Sequence, residues 1–239
     1  MKTKYRSVFI SDLHLGSKKA QSADLLEFLK SIECDYLYLV GDILDFWAAQ
    51  GKKLHWTQTE SDVVRRILKM SKDTKICYIV GNHDALIRPN LPIELGNIVV
   101  RNEMTHVTSD GKHLLVTHGD KFDPFVTRWE AISRLGDWVY GWLLTFNQKI
   151  NWLRRKLGFK YWSLSKYLKH NSKKALGIIE NFESLLLEYA QETGHEGIIS
   201  GHIHTPWAKG NSFNCGDWVE SFSYLAEDET GSIKLLYYR

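Results

Sequence analysis

Five times along the chain, a short apolar run that reads as a buried strand ends in a cluster of glycine, aspartate, asparagine or histidine. Ser7-Val8-Phe9-Ile10 leads to Asp12-Leu13-His14. Tyr36-Leu37-Tyr38-Leu39-Val40 leads to Gly41-Asp42-Ile43-Leu44-Asp45, and Ile76-Cys77-Tyr78-Ile79-Val80 to Gly81-Asn82-His83-Asp84. His113-Leu114-Leu115-Val116-Thr117 and Gly197-Ile198-Ile199-Ser200 precede His118-Gly119-Asp120 and Gly201-His202-Ile203-His204 in the same way. Runs of this length and apolarity fit strands covered on both faces. Polar motifs at their C-terminal ends lie where open α/β sheets collect functional groups.

The spacing predicts strands near 7–10, 35–40 and 75–80, with helices near 20–31 and 57–71 between them. This βαβαβ order implies a parallel sheet. Residues 97–117 read as short strands with a hairpin turn at Asp110-Gly111. From about 125 to 193 the pattern is helical, interrupted at Gly158-Phe159. After the strand at 197–200 come β-rich stretches near 207–213, 219–225 and 233–238. The expected architecture is one α/β domain over 1–239, with a two-sheet core and a helical insertion over 125–193. A chain of 239 residues with 44% hydrophobic content can bury such a core.

Charge is unevenly placed. Residues 138–174 hold nine lysines and arginines and no acidic residue, leaving 22 basic and 28 acidic residues elsewhere, a formal charge of −6. A cationic island on an acidic body points to an anionic partner. Cys34, Cys77 and Cys215 are odd in number and sit in apolar sequence, as expected of reduced, buried thiols in a cytoplasmic protein. The first residues run into a strand with no apolar leader, and no stretch reaches the roughly 18 apolar residues of a membrane span.

The five motifs offer carboxylate, amide and imidazole ligands and no thiolate, which argues for a catalytic pair of Mn, Fe or Zn ions over a structural zinc. Asp12 and His14 are two apart at a strand end and can reach one ion. Asp42, on the neighbouring strand, is the best bridge between two ions. Asn82, His118 and His202 would complete one ion and His204 the other. Gly41, Gly81, Gly119 and Gly201 suit backbone that turns tightly beside a ligand. A lone Asp-x-His or Gly-Asn-His-Asp is ordinary turn chemistry, but five in order at strand ends are not. The remaining histidines, His55, His106, His113, His170 and His195, read as solvated or core residues.

This ordered set resembles the calcineurin-like metallophosphoesterases, and within them the UDP-2,3-diacylglucosamine diphosphatases of lipid A synthesis. The closer likeness rests on Ser11-Asp12-Leu13-His14-Leu15-Gly16, Tyr38-Leu39-Val40-Gly41-Asp42 and Gly201-His202-Ile203-His204-Thr205-Pro206. The resemblance implies a four-layer α/β/β/α sandwich and two metal ions, Mn foremost. Asp12, His14, Asp42 and His204 would hold one, and Asp42, Asn82, His118 and His202 the other. His83 would be a general acid or a phosphate-stabilising cation oriented by Asp84. Lys169-His170-Asn171-Ser172-Lys173 is similar to the segment by which that family contacts its nucleotide sugar, so Lys169, Asn171, Ser172 and Lys173 are expected on the substrate, together with Asp120 and Asp123. The chain departs from the best-known members in having His83 where they have arginine, Ala175-Leu176-Gly177 where they have polar contacts, and the ending 214–221.

Nine aromatic residues between Trp138 and Tyr167 interleave with the basic ones. Such a segment suits the surface of the cytoplasmic membrane and a lipid-linked pyrophosphate. The same residues suit a cover packed on the core, or single-stranded nucleic acid in a nuclease or phosphodiesterase. The acidic body disfavours the nucleic-acid reading. A non-catalytic scaffold would show eroded ligands, and here every ligand position is filled.

Overall fold

The structure is a computed structural model and describes residues 2–49, 55–123 and 173–238. The chain divides into two units, Met1–Asp120 with Leu186–Arg239, and Lys121–Leu185. In the first unit β1 (Thr3–Ile10), α1 (Ser22–Ser31), β2 (Ile32–Val40), the short α2 (Phe46–Ala49), α3 (Gln58–Met70) and β3 (Lys75–Ile79) follow in order. The three strands pair in parallel. β4 (Ile93–Leu95), β5 (Ile98–Arg101), β11 (Ser223–Glu227) and β12 (Ile233–Tyr237) extend them into a seven-stranded sheet ordered β12-β11-β1-β2-β3-β5-β4. β6 (Glu103–Val107), β7 (His113–Thr117), β8 (Gly197–Ser200), β9 (Trp207–Lys209) and β10 (Ser212–Asn214) form a second sheet ordered β6-β7-β8-β10-β9.

Strand alternation divides the core in two. Val8 and Ile10 of β1 join Leu25, Phe28 and Leu29 of α1 and Val63, Ile67 and Met70 of α3 on the helical face. Phe9, between them in sequence, points the other way and joins Leu114, Val116, Ile199 and Phe213 of the second sheet. Helix α3 starts at a capping box in which Thr57 and Glu60 satisfy each other's backbone N–H groups. A fourth helix, α4 (Lys173–Glu192), enters the first unit with its last turns. There Leu186 and Ala190 are buried and the Tyr189 hydroxyl donates to Glu103 of β6 at 3.0 Å. The layers run helix, sheet, sheet, helix, as the expected sandwich requires.

Several boundaries moved. β1 and β2 begin earlier than their apolar runs, at Thr3 and Ile32, because their first residues pair with one another. The strand expected near 219–225 starts only at Ser223: Asp217 Oδ1 accepts the N–H groups of Val219, Glu220 and Ser221 and curls that segment into a turn. The stretch near 207–213 splits into the antiparallel pair β9 and β10. The hairpin at Asp110-Gly111 joins β6 and β7. Residues 124–172, with the expected break at Gly158-Phe159, the basic aromatic segment and Lys169, Asn171 and Ser172, lie outside the described residues. The three cysteines are buried and unpaired with one another. Among the described residues no helix is long and apolar enough to cross a membrane.

A polar network ties the two sheets. Glu227 of β11 is fully buried and accepts from Arg6 (2.7 Å), Ser7 (2.6 Å) and the Ser109 N–H (2.8 Å). His106 of β6 crosses the sheet gap, with Nε2 2.9 Å from Glu227 and Nδ1 3.0 Å from the Tyr38 hydroxyl. Burial pushes the Glu227 carboxyl up, but the hydrogen bonds from His106, Ser7 and Ser109 outweigh it and hold it at about 2 against an ordinary 4.5. A depressed carboxyl stabilises the fold above its unfolded pKa, and that contribution is lost as pH falls through the folded value. Glu227→Gln should therefore cost about 3 kcal/mol at pH 7, measured by urea unfolding. The gap between wild type and variant should close as pH drops from 5 to 2; a gap that stays constant would refute the assignment.

Candidate metal centre

Each of the five motifs stands where its strand ends, and the backbone turns sharply there. Among the described residues six non-glycine positions have left-handed φ, and five of them are expected ligands: Asp12 (55°), His14 (47°), Asp42 (53°), His202 (73°) and His204 (51°). Such residues cost on the order of 1 kcal/mol each and persist where the surroundings over-determine them. Here the motifs hold one another. Asp12 N–H donates to Gly41 O (3.1 Å), His14 N–H to Asp42 O (2.9 Å) and Gly201 N–H to His118 O (3.1 Å). His202 N–H donates to Asp12 Oδ2 (3.1 Å), and His83 N–H to Asp42 Oδ1 (2.8 Å).

The side chains gather in three groups. Ligand atoms of Asp12, His14 and His204 lie within 4.8 Å of one another, as do those of Asp42, His118 and His202, and those of His14, Asp45 and His83. His204 Nε2 is 3.1 Å from Asp12 Oδ1, and His118 Nε2 is 3.3 Å from Asp42 Oδ2. Burial pushes the Asp12 carboxyl up, yet His204 beside it, with His118 further off, brings it down to about 2. Asp42 is held well below the carboxylate range in the same way: burial opposes ionisation, and His118, His83 and His14 overcome it.

Two metal ions fit these residues. Six buried side-chain atoms among the described residues lack a hydrogen bond of good geometry, and four of them are Asp12 Oδ1, His14 Nε2, Asn82 Oδ1 and His118 Nε2, although Asp12 Oδ1 faces His204 and His118 Nε2 faces Asp42. An unpaired buried polar atom costs about 1–3 kcal/mol, so four on the expected ligands call for an electrophile. All are oxygen or imidazole donors, the set that suits hard to borderline divalent cations. His118 Nδ1 donates to Val40 O (2.9 Å), which fixes the tautomer and leaves Nε2 as the ligand atom.

Asp84, expected to orient His83, makes its hydrogen bonds to other groups. Its Oδ2 accepts from Ile43 N–H (2.9 Å) and the Tyr78 hydroxyl (2.6 Å), and its Oδ1 from Gly81 N–H. Burial and the neighbouring Asp42 charge raise its pKa. Asp84 thus braces the second and third motif loops. A partner of His83 is Asp45, whose Oδ1 lies 3.0 Å from Nδ1. Asp45 Oδ2 also faces His14 Nδ1 at 3.5 Å. The sequence carries this signal in the second carboxylate of Gly41-Asp42-Ile43-Leu44-Asp45. Arg88 gave none: its guanidinium donates to Asp120 (2.7 Å) and Val80 O (3.3 Å), linking the loops of Asn82 and His118. Asp120, expected on substrate, is therefore buried in an ion pair. Asp123 is half-buried, and Lys173 opens α4.

Gly81 lets the third loop approach the second. A Cβ there would run into Asp42 Oδ1 and the Asp42 backbone N. Gly81→Ala should displace Asp42 and lower metal affinity about 10- to 100-fold, read by elemental analysis after dialysis. Undiminished metal content would show that the loop yields without moving Asp42.

A sequence profile of the calcineurin-like phosphoesterase family matches residues 5–206. The UDP-2,3-diacylglucosamine hydrolase of Aliivibrio fischeri (strain MJ11) is 26% identical over 209 residues, 83% of this chain and 81% of that protein. The UDP-2,3-diacylglucosamine hydrolase of Haemophilus influenzae (strain PittGG) is 27% identical over 236 residues, 94% of this chain and 96% of that protein. With most of the chain matched and all its strand-end motifs gathered around sites for two ions, this chain belongs to the calcineurin-like phosphoesterase family as a dinuclear-metal phosphohydrolase.

Proposed function

We propose that the protein hydrolyses the pyrophosphate of UDP-2,3-diacylglucosamine, with water attacking the α-phosphorus and releasing UMP and the lipid-sugar 1-phosphate. The observation that carries the substrate class is the near full-length similarity to hydrolases of that name, at 24–27% identity. The cationic, aromatic sequence of 138–174 supports it: lysines and arginines suit phosphates, and aromatic surface suits acyl chains at a membrane interface. In this reading the enzyme works in the cytoplasm against the inner membrane, and Lys169, Asn171, Ser172 and Lys173 meet the nucleotide sugar.

Asp12, His14, Asp42 and His204 would hold one ion, and Asp42, Asn82, His118 and His202 the other, with Mn the first choice of metal. When bound, the ions supply Lewis acidity for activating water and for neutralising charge on the phosphoryl oxygens. The chain supplies orientation and a proton. His83 Nε2 stands 3.9 Å from Asp42 Oδ2, beside the ligand groups, while Nδ1 is held by Asp45. With Nδ1–H given to Asp45, Nε2 carries a proton only in the imidazolium, and in that form it would give the proton to the leaving oxygen or stabilise the phosphoryl charge.

The test is hydrolysis of UDP-2,3-diacylglucosamine by purified protein in Mn with detergent, beside bis-p-nitrophenyl phosphate. His118→Ala should abolish turnover of both. His83→Ala should keep both metals and lower turnover on the order of 100-fold. Turnover of the generic diester alone would overturn the lipid substrate and favour another phosphodiesterase activity. Metal loss in His83→Ala would overturn its role as proton donor.

A further inference from the structure

We infer that the N-terminus of α1 forms a second anion site, one that takes a phosphate group apart from the metal centre. A cavity of about 220 Å³ lies there, walled by Ser17, Lys18, Ser22, Ala23 and the stretch from His55 into the first turn of α3. None of the expected metal ligands lines it.

Two helices start at this cavity, and their ends are treated differently. The first N–H groups of any helix have no partner within it. At α3 the Thr57 hydroxyl and the Glu60 carboxylate close a capping box. At α1 the residue in the capping position is Gln21, whose side chain makes no bond to the helix and instead donates to Lys19 O at 3.4 Å. The Leu25 N–H reaches back to Gln21 O at 3.0 Å, while the N–H groups of Ser22 and Ala23 have no acceptor among the described residues. Both residues line the cavity. Exposed N–H groups at the positive end of a helix dipole favour a bound anion.

A side chain points to the same ligand independently. Ser22 is only 7% exposed, lines the cavity, and its hydroxyl has no hydrogen-bond partner among the described residues. Leaving such a group unanswered costs about 1–3 kcal/mol, and an acceptor seated in the cavity removes that cost. Cations stand beside it: Lys18 is exposed on the wall with no ion pair among the described residues, and the exposed His55 ring is on the opposite side of the sequence gap, ahead of α3. The carboxylate in the wall, Glu60, is already answered by the Gly16 N–H at 2.9 Å and the Thr57 N–H at 2.5 Å. Asp24, the acidic residue of the first turn of α1, is not part of the wall.

The donors outnumber what a carboxylate takes up. A phosphate group presents at least three strong acceptor oxygens, enough for the helix N–H pair, the Ser22 hydroxyl and the Lys18 ammonium together. The wall is also joined to the first motif, since Ser17 N–H donates to His14 O at 3.1 Å and His55 N–H to Gly16 O at 3.2 Å. The ligand is therefore free phosphate or the phosphate of a small ester, held against the loop that follows His14.

The experiment is an amide NMR titration of the zinc-loaded protein with inorganic phosphate and with glycerol 3-phosphate, at ionic strength held constant with sodium chloride. The Ala23 amide should shift and saturate. Lys18→Ala should weaken that binding about tenfold and Ser22→Ala about fivefold, the difference between a charged and a neutral hydrogen bond, with Tm showing that both variants fold. His118→Ala, which removes an expected metal ligand, should leave it unchanged. Tighter binding of the ester assigns the site to esters and tighter binding of phosphate to the free ion, and either result supports the site. A shift that does not saturate, an affinity unchanged in Lys18→Ala or in Ser22→Ala, or a signal lost in His118→Ala would overturn the inference. Each of those results would leave the phosphohydrolase reading of the metal centre standing.

Discussion

The left-handed turns at the strand ends, locked to one another by hydrogen bonds, hold the site together. Asp12, His14, Asp42, His202 and His204 all take backbone conformations that L-residues avoid. None of these turns is secured only within its own loop. The first loop hangs from the carbonyls of Gly41 and Asp42, the fifth from the Asp12 carboxylate and the His118 carbonyl, and the His83 N–H from Asp42. The ligands are therefore positioned by the pairing of strands far apart in sequence, and the parallel sheets supply the stability that the strained ends draw on.

Two aspartates show how such loops share work. Asp42 uses Oδ1 for the His83 backbone and turns Oδ2 toward His118, so one carboxylate both shapes a loop and serves the site. Asp84 spends both oxygens on the second and third loops and on Tyr78. A brace of this kind, buried and pressed against the Asp42 charge, keeps a raised pKa. A carboxylate that does face His83 is Asp45, which also reaches toward His14 and caps α2.

Away from the site, Glu227 and His106 solve a different problem. A buried carboxylate between two sheets is costly unless every oxygen is answered, and here Arg6, Ser7, Ser109 and His106 answer it. Sheet-on-sheet packing between Phe9, Val40, Leu114 and Ile199 is apolar and tolerant of sliding. A directional polar network can fix its register, as buried polar groups do elsewhere. His106, read from sequence only as solvated or core, is core.

The order of strands and motifs, the two-sheet core and the aspartates and histidines that cluster at the strand ends could be read along the chain, because strand periodicity and turn chemistry are local properties. Apolar runs such as Tyr36 to Val40 mark covered strands, and the glycines with Asp, Asn and His after them mark where those strands stop. What the sequence left open was which side chains meet. Asp84 adjoins His83 in the chain, yet Asp45, 38 positions away, is a partner of His83, since neighbouring residues at a turn point in different directions while parallel strands bring distant loops side by side. Arg88 gave no local signal for the same reason. Its link between Val80 and Asp120 exists only once β3 and β7 are placed with the loops they carry, and that placement is a property of tertiary packing, which no run of adjacent residues encodes.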